Sequence, residues 1–394
     1  MKVAIVHDWI TGLRGGERCL LEFLKLYPEA EIFTLLHVPG TTSPEIDSRV
    51  RQCSWLQSIP GIKKLYRLCL PLYPSAARSL VLSGYDLVIS LSHAAAKNVT
   101  IPEGTRHLSY CFTPMRYVWD QQDAYFGLWG RGVEPLFQML RRWDVRGSRS
   151  VDQFAAISHL VAARIRRFYQ RRSTVIYPAV DTSWIAPAKE GSAGEAFLYA
   201  GALVPYKRPD LVVEAFNRTG EKLWIAGSGP MLAKLKRQAA PNITFLGFLP
   251  DAELAEVYRR ARALIFPGKE DFGMIPVECM AAGRPVLGAY AGGLKETVAG
   301  IKIWNESAMI PSDPSGVWYR PSDHGELGEL ISAIQWFQAN EGRFTVAGCR
   351  TQAERFSPER FRAAWGQFVG DGSLNYHGAS TRTASGRANS ERSG

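Results

Sequence analysis

Short, continuous apolar runs recur along the first half of the chain. KVAIVHDW, AEIFTLLH, YDLVISLS, RHLSYCFT and SVDQFAAIS read as buried strands, and GGERCLLEFLKLY as an amphipathic helix. Strands alternating with helices predict a parallel sheet. Residues 182–195, TSWIAPAKEGSAGE, are rich in Pro, Gly, Ala and Ser and read as a linker. The pattern then restarts: AFLYAGAL, EKLWIAGSG, NITFLGFL, ALIFPG and RPVLGAY as strands, with PDLVVEAFNR, PMLAKLKRQAA, DAELAEVYRRA and IPVECMAAG as helices between them. Two doubly wound α/β units are expected, residues 1–186 and 187–354, facing each other across a cleft where ligands sit at the carboxyl ends of the strands. A helix over about 355–370 is expected to return to the first unit, and 371–394, which lack a hydrophobic pattern, to be disordered.

Composition narrows the class. With 394 residues and 46% hydrophobic content, two substantial cores are affordable, while no stretch approaches about 18 uninterrupted apolar residues. The six cysteines, Cys19, Cys53, Cys69, Cys111, Cys279 and Cys349, form no C-x-x-C and suit free thiols in a reducing cytoplasm. The net charge of +10 is concentrated. Ten arginines lie between Gly130 and Thr174 against three acidic residues. Residues 61–82, GIKKLYRLCLPLYPSAARSLVL, interleave Lys63, Lys64, Arg67 and Arg78 with Leu65, Tyr66, Leu68, Leu70, Leu72 and Tyr73. This predicts a surface that lies on an anionic membrane without spanning it; the competing reading buries the apolar residues in the core.

The candidate chemistry centres on KEDFGMIPVECMAAGRPV, residues 269–286. Glu270 follows a strand in a loop, Pro276 suits the first turn of a helix, and Glu278 is placed in that turn. The backbone N–H groups of Phe272, Gly273 and Met274 then lie at the positive helix end, where phosphate binds. Two carboxylates around such a loop suit a sugar hydroxyl and a ribose hydroxyl. No D-x-D occurs anywhere, so a metal anchor for a diphosphate has no candidate.

The Glu-x7-Glu element resembles the hallmark of retaining glycosyltransferases of family GT4, which have the two-Rossmann GT-B architecture. VHDWITGLRGGERCL, YCFTPMRYVWD, YPAVD, AGALVPYKRPDLVVEAF, IAGSGP and FLGFLPDAEL occur in order and extend the resemblance over roughly residues 1–300. TPMRYVWD and VPYKRPD look most like bacterial polysaccharide mannosyltransferases. The resemblance implies that Gly15 and Gly16 let backbone N–H groups approach a donor phosphate, that Lys207 neutralises the diphosphate, and that Gly227 and Gly229 form a nucleotide-side loop. It implies that LGFLP, with Phe248, contacts the base, that Glu278 binds the ribose, and that Glu270 positions the transferred sugar. It also implies same-face attack with the donor phosphate as base.

Two positions depart from that pattern. Phe112 stands where many relatives have a histidine near C6 of the donor sugar, and Ala202 where many have an arginine partnering the lysine, a loss for which Arg208 is the expected substitute. His93 at another strand end reads as structural or as an added polar contact. The function implied is transfer of a hexose, by default mannose from GDP-mannose, to a polyprenyl-diphosphate-linked oligosaccharide for a cell-surface polysaccharide. The enzyme is expected in the cytoplasm on the inner face of the plasma membrane, with no cofactor, no metal and no nucleic-acid partner. The alternatives are a catalytically impaired nucleotide-binding subunit of an assembly complex and a nucleotide-sugar epimerase of similar shape.

Overall fold

The computed structural model describes residues 1–119, 134–192, 194–305, 310–322 and 325–374. Arg131 and Asp120, and the expected disordered tail from 375 onward, lie outside these residues.

The first sheet is built from β1 (Val3–His7), β2 (Glu31–Thr34), β3 (Val50–Cys53), β4 (Leu87–Ser92), β5 (Arg106–Cys111), β6 (Gln153–Ala156) and β7 (Ser173–Val175), all parallel. Its order is β3-β2-β1-β4-β5-β6-β7. The second contains β8 (Ala196–Ala200), β9 (Leu223–Ala226), β10 (Ile243–Gly247), β11 (Ala261–Phe266), β12 (Val286–Ala289), β13 (Gly300–Lys302) and β14 (Gly316–Tyr319) in the order β10-β9-β8-β11-β12-β14-β13, again all parallel. Every residue of β1, β4, β8 and β12 is buried, which is why they read as continuous apolar runs. The order reverses between β1 and β4 in one sheet and between β8 and β11 in the other. Those two crevices are where open α/β sheets bind ligands.

The helices that frame the crevices are α1 (Gly15–Leu26), α2 (Arg116–Trp119), α3 (His159–Tyr169), α4 (Pro209–Thr219), α5 (Asp251–Arg260), α6 (Met274–Ala281) and α7 (Pro358–Leu374). α1 turns Cys19, Leu20, Phe23 and Leu24 into the core, and at its start the Arg14 N–H donates to Glu17 Oε2 at 3.1 Å. α7 lies back across α1: the Trp365 indole donates to Tyr27 Oη at 2.9 Å, and the Phe23 ring meets Phe361 and Trp365 edge-on. Residues 371–374, expected to be disordered, continue this helix. Elongation past Phe368 adds one backbone bond per residue to a turn already anchored in the core.

Residues 61–82 divide. Ile62, Tyr66, Leu70, Tyr73, Leu80 and Leu82 are buried in the first unit's core, whereas Leu65, Leu68, Leu72 and Val81 face out, Leu68 at 67% exposure. Tyr66, Leu70 and Tyr73 are therefore core residues. The side chains of Lys64 and Arg67 lie outside the described residues.

Candidate active site

At the reversal point of the second sheet, the loops after β8 and β11 bring two predicted residues together. Lys207 Nζ and Glu270 Oε1 form an ion pair at 2.6 Å, both side chains about four-fifths buried. Burial works to lower the Lys207 pKa, but Glu270 outweighs it and holds the ammonium above its ordinary value. The pair sits on glycines: Gly268 lies against the Lys207 backbone, and Gly201, with φ of +141°, lies beside its side chain.

The loop carrying Glu270 is braced from behind. The Gly293 N–H donates to Glu270 O at 2.8 Å, and a Cβ on Gly292 or Gly293 would overlap the Glu270 or Asp271 carbonyl oxygen. Asp271, buried, is gripped from the first unit. It accepts from Arg164 Nη1 at 2.6 Å and pairs with Arg116 Nη2, and Arg164 also reaches Thr113 Oγ1. The sequence reading missed this clamp, because its partners are 155 and 107 residues apart.

α6 begins at Met274 with Gly273 as its N-cap in a left-handed conformation, φ +92°. Glu278 is thus its fifth residue, in the second turn rather than the first, because Pro276 is the third residue and not the first. Glu278 lines a cleft of about 120 Å³ with Arg18, Lys25, Asp181 and Met274. Burial raises its pKa, opposed by the hydrogen bond that Tyr258 Oη donates at 2.9 Å and by Arg18. Arg18 also ties the units together through Asp251 at 2.8 Å. The Phe272 side chain is buried against Tyr177 and Phe356, so only its backbone faces the helix end.

The remaining predicted residues fall into four groups. Gly15 abuts the other unit, a Cβ there meeting Met274 Sδ at 3.0 Å, and Gly16 lies against His7 and Phe112. Gly227 and Gly229 have φ of +139° and +158° and pack so tightly on the loop after β8 that any side chain would overlap the Gly201 or Leu203 carbonyl. That close approach is sufficient reason for both glycines. Phe248, just past β10, is 78% exposed. Arg208 is turned to other partners, Glu326 at 2.7 Å and Asp210 at 3.6 Å, in a depression with Tyr206 and Lys269. Arg116 of the first unit also acts on the pair: its charge opposes the raised Lys207 pKa, after the stronger effects of burial and Glu270.

The reversal point of the first sheet holds a second cluster that the sequence reading passed over, except for His93. Asp8 follows β1, is fully buried, and faces His93 Nδ1 at 2.9 Å. Burial pushes its carboxyl up, but His93 brings it well below the usual carboxylate range. His7 is neutral: burial, then the neighbouring His93, lowers its pKa to about 4. Among the described residues no cluster of three or more His, Cys, Asp or Glu is arranged to hold a metal.

Residues 182–334 match the family described as glycosyl transferases group 1. The chain is 28% identical to a D-inositol 3-phosphate glycosyltransferase of Mycobacteroides abscessus, over 60% of this chain and 51% of that protein. It is 26% identical to the D-rhamnosyltransferase WbpZ of Pseudomonas aeruginosa, over 50% and 58%. It is 24% identical to the O-antigen chain mannosyltransferase C of Escherichia coli, over 58% and 63%. The matched region thus spans about half the length of the first of these relatives. Among solved structures, Anabaena HepE in complex with UDP superposes with a TM-score of 0.68 at 17% identity, covering 94% of this chain and 100% of that one. WaaG, a glycosyltransferase involved in lipopolysaccharide biosynthesis, does so at 0.61 and 13%, covering 93% and 99%. At these identities the likeness is one of fold.

Proposed function

The chain belongs to the group 1 glycosyltransferases, family GT4, with their GT-B fold, and from that premise we propose that it transfers a hexose from a nucleotide sugar, with retention, to a lipid-linked oligosaccharide. The observation that carries this reading is the Lys207–Glu270 ion pair at the reversal point of the second sheet, beside the N-terminus of α6. Lys207 meets the diphosphate, and the N–H groups of Phe272, Gly273 and Met274 add fixed partial charge as negative charge develops on the leaving phosphate. A bound diphosphate takes over from Glu270 as partner of Lys207, which frees the carboxylate for a hydroxyl of the transferred sugar and for positive charge near its anomeric carbon. Glu278 takes the ribose, the backbone of residues 246–250 with exposed Phe248 takes the base, and Gly15 and Gly16 let the first unit close on the phosphates.

Arg116, though paired with Asp271, still acts on the Lys207 charge, whereas Arg208 turns to Glu326, so Arg116 is the candidate for the cation absent at Ala202. For the donor, mannose is supported by the O-antigen chain mannosyltransferase among the relatives. A 6-deoxyhexose has a specific observation behind it: Phe112 offers no hydrogen bond to a C6 hydroxyl, and one relative is a D-rhamnosyltransferase. For the acceptor, the outward Leu65, Leu68, Leu72 and Val81, near exposed Lys63 and Arg78, support a face that rests on an anionic leaflet while the headgroup enters the cleft. No helix among the described residues is long and apolar enough to cross a membrane. A screen of GDP-mannose, GDP-rhamnose, GDP-fucose and UDP-glucose for release of nucleoside diphosphate tests the reading. Consumption of at least one is expected. Strict preference for a 6-hydroxylated donor would remove the Phe112 argument, and consumption of none would remove the transferase.

A further inference from the structure

We propose that the depression lined by Tyr206, Arg208 and Lys269 on the second unit is a carbohydrate subsite. It holds a neutral sugar residue of the glycan being extended, away from the reacting bond; the glycan's role rests on the transferase reading above. The starting point is position. The walls come from the chain just past the carboxyl ends of β8, β11 and β14, the end of a parallel sheet at which ligands bind. Tyr206 and Lys269 each directly precede a member of the Lys207–Glu270 pair. At about 510 Å³ the depression has the size of a small-molecule site, roughly 300–1,000 Å³, where the cleft beside Glu278 has about 120 Å³.

The lining decides the ligand class. Arg208 and Lys269 share the depression with Glu214 and Glu326, as many carboxylates as cations. Arg208 already pairs with Glu326 at 2.7 Å, and Glu214 with Arg218 at 2.7 Å. A phosphate or carboxylate therefore gains no net attraction there, and an alkyl chain would strip water from charged groups without replacing its hydrogen bonds. A sugar does neither. Its hydroxyls donate to the carboxylates and accept from exposed Lys269, which has no ion-pair partner among the described residues, while its C–H face needs an aromatic or apolar wall. That wall is present: Tyr206, 46% exposed, lines the depression together with Pro267 and Pro321.

A buried group adds an independent observation. Tyr319, the last residue of β14, is fully buried, and its hydroxyl has no hydrogen-bond partner among the described residues. Buried hydroxyls are normally paired. The charges that act on this one are those of Glu326 and Arg208, the ion pair of the depression. A ligand hydroxyl that engages one member of that pair releases the other towards Tyr319. The same site gives Arg208 a task separate from that of Lys207: its left-handed backbone, φ +53°, uncommon for a residue other than glycine, sends its side chain to Glu326.

The test reads binding, so turnover is not needed. Saturation-transfer NMR is recorded on the full chain, with GDP or UDP in excess, for methyl α-mannoside, methyl α-rhamnoside, maltose and cellobiose. At least one is expected to give a signal. Its affinity should fall about 5-fold or more in Tyr206→Ala and in Glu326→Gln, the scale of one aromatic contact or hydrogen bond, and stay within about 2-fold in Glu270→Gln. Tyr206 is half-exposed, so its replacement leaves the core intact; Glu326→Gln reads the same site independently. No signal from any of the four sugars overturns the proposal. So does a signal that follows Glu270→Gln instead, which would place the sugar in the donor site, and so does displacement by inorganic phosphate, which would make the depression an anion site. Donor consumption is read separately: a wild-type chain that consumes none of the four nucleotide sugars above removes the transferase reading, whereas a sugar signal lost in Tyr206→Ala still upholds the subsite.

Discussion

Replacing Asp271 by alanine should loosen the two units and slow turnover together. Asp271 is buried and faces two arginines of the first unit, Arg164 at 2.6 Å and Arg116. Removing one partner of a buried ion pair costs about 3–5 kcal/mol. The arginine side chains here are each 22% exposed, so water offsets part of that loss. We therefore expect about 2–3 kcal/mol of lost stability in urea titrations followed by circular dichroism, and roughly half of that for Asp271→Asn, which keeps an acceptor oxygen. Arg164→Met alone should cost less, and the double variant should show about 1–2 kcal/mol of coupling, because the second change removes a charge whose partner has already gone. Turnover should fall as well, since Asp271 adjoins Glu270 on the braced loop. Stability within about 0.5 kcal/mol of wild type, with additive double-variant behaviour, would refute the clamp.

Further outcomes follow from the same geometry. Lys207→Ala should weaken nucleoside diphosphate binding about 10- to 100-fold by calorimetry, the scale of one charge-assisted hydrogen bond; unchanged affinity would move Lys207 out of the phosphate site. Burial holds both His7 and His107 at about 4 in the folded chain, against 6.5 in the unfolded one. The unfolded state then binds more protons between those values. Stability should be fully present above pH 6.5 and fall by on the order of 3 kcal/mol per histidine as pH drops towards 4, a loss that His107→Gln should reduce. Sedimentation with vesicles should require anionic lipid, weaken with salt and drop several-fold when Leu65 and Leu68 become Ser; indifference to lipid charge would reject that face.

The parts of this molecule that were legible in the sequence are those written locally. Continuous apolar runs marked β1, β4, β8 and β11 because both faces of these strands are covered, and Glu270 to Glu278 could be set around a helix start because Gly273 and Pro276 punctuate it. Strands β3, β7 and β13, of 4, 3 and 3 residues and only partly buried, carry too little pattern to stand out. The Asp271 clamp and the Asp8–His93 pair were illegible for another reason. Each joins residues that only the fold brings together, 107 and 85 positions apart in the Arg164 and His93 contacts. Arg208 misled because it directly follows Lys207, yet its own left-handed backbone, φ +53°, turns the chain into α4 and its side chain towards Glu326.

The most direct test of the transferase account is donor turnover by the wild-type chain and by Glu270→Gln, with product anomer read by NMR and nucleotide affinity measured in parallel. The account expects the wild type to consume a nucleotide sugar with retained configuration, and Glu270→Gln to fall about 10²-fold in turnover while binding nucleoside diphosphate nearly as before. Equal turnover in the two proteins, or an inverted product from the wild type, would contradict it.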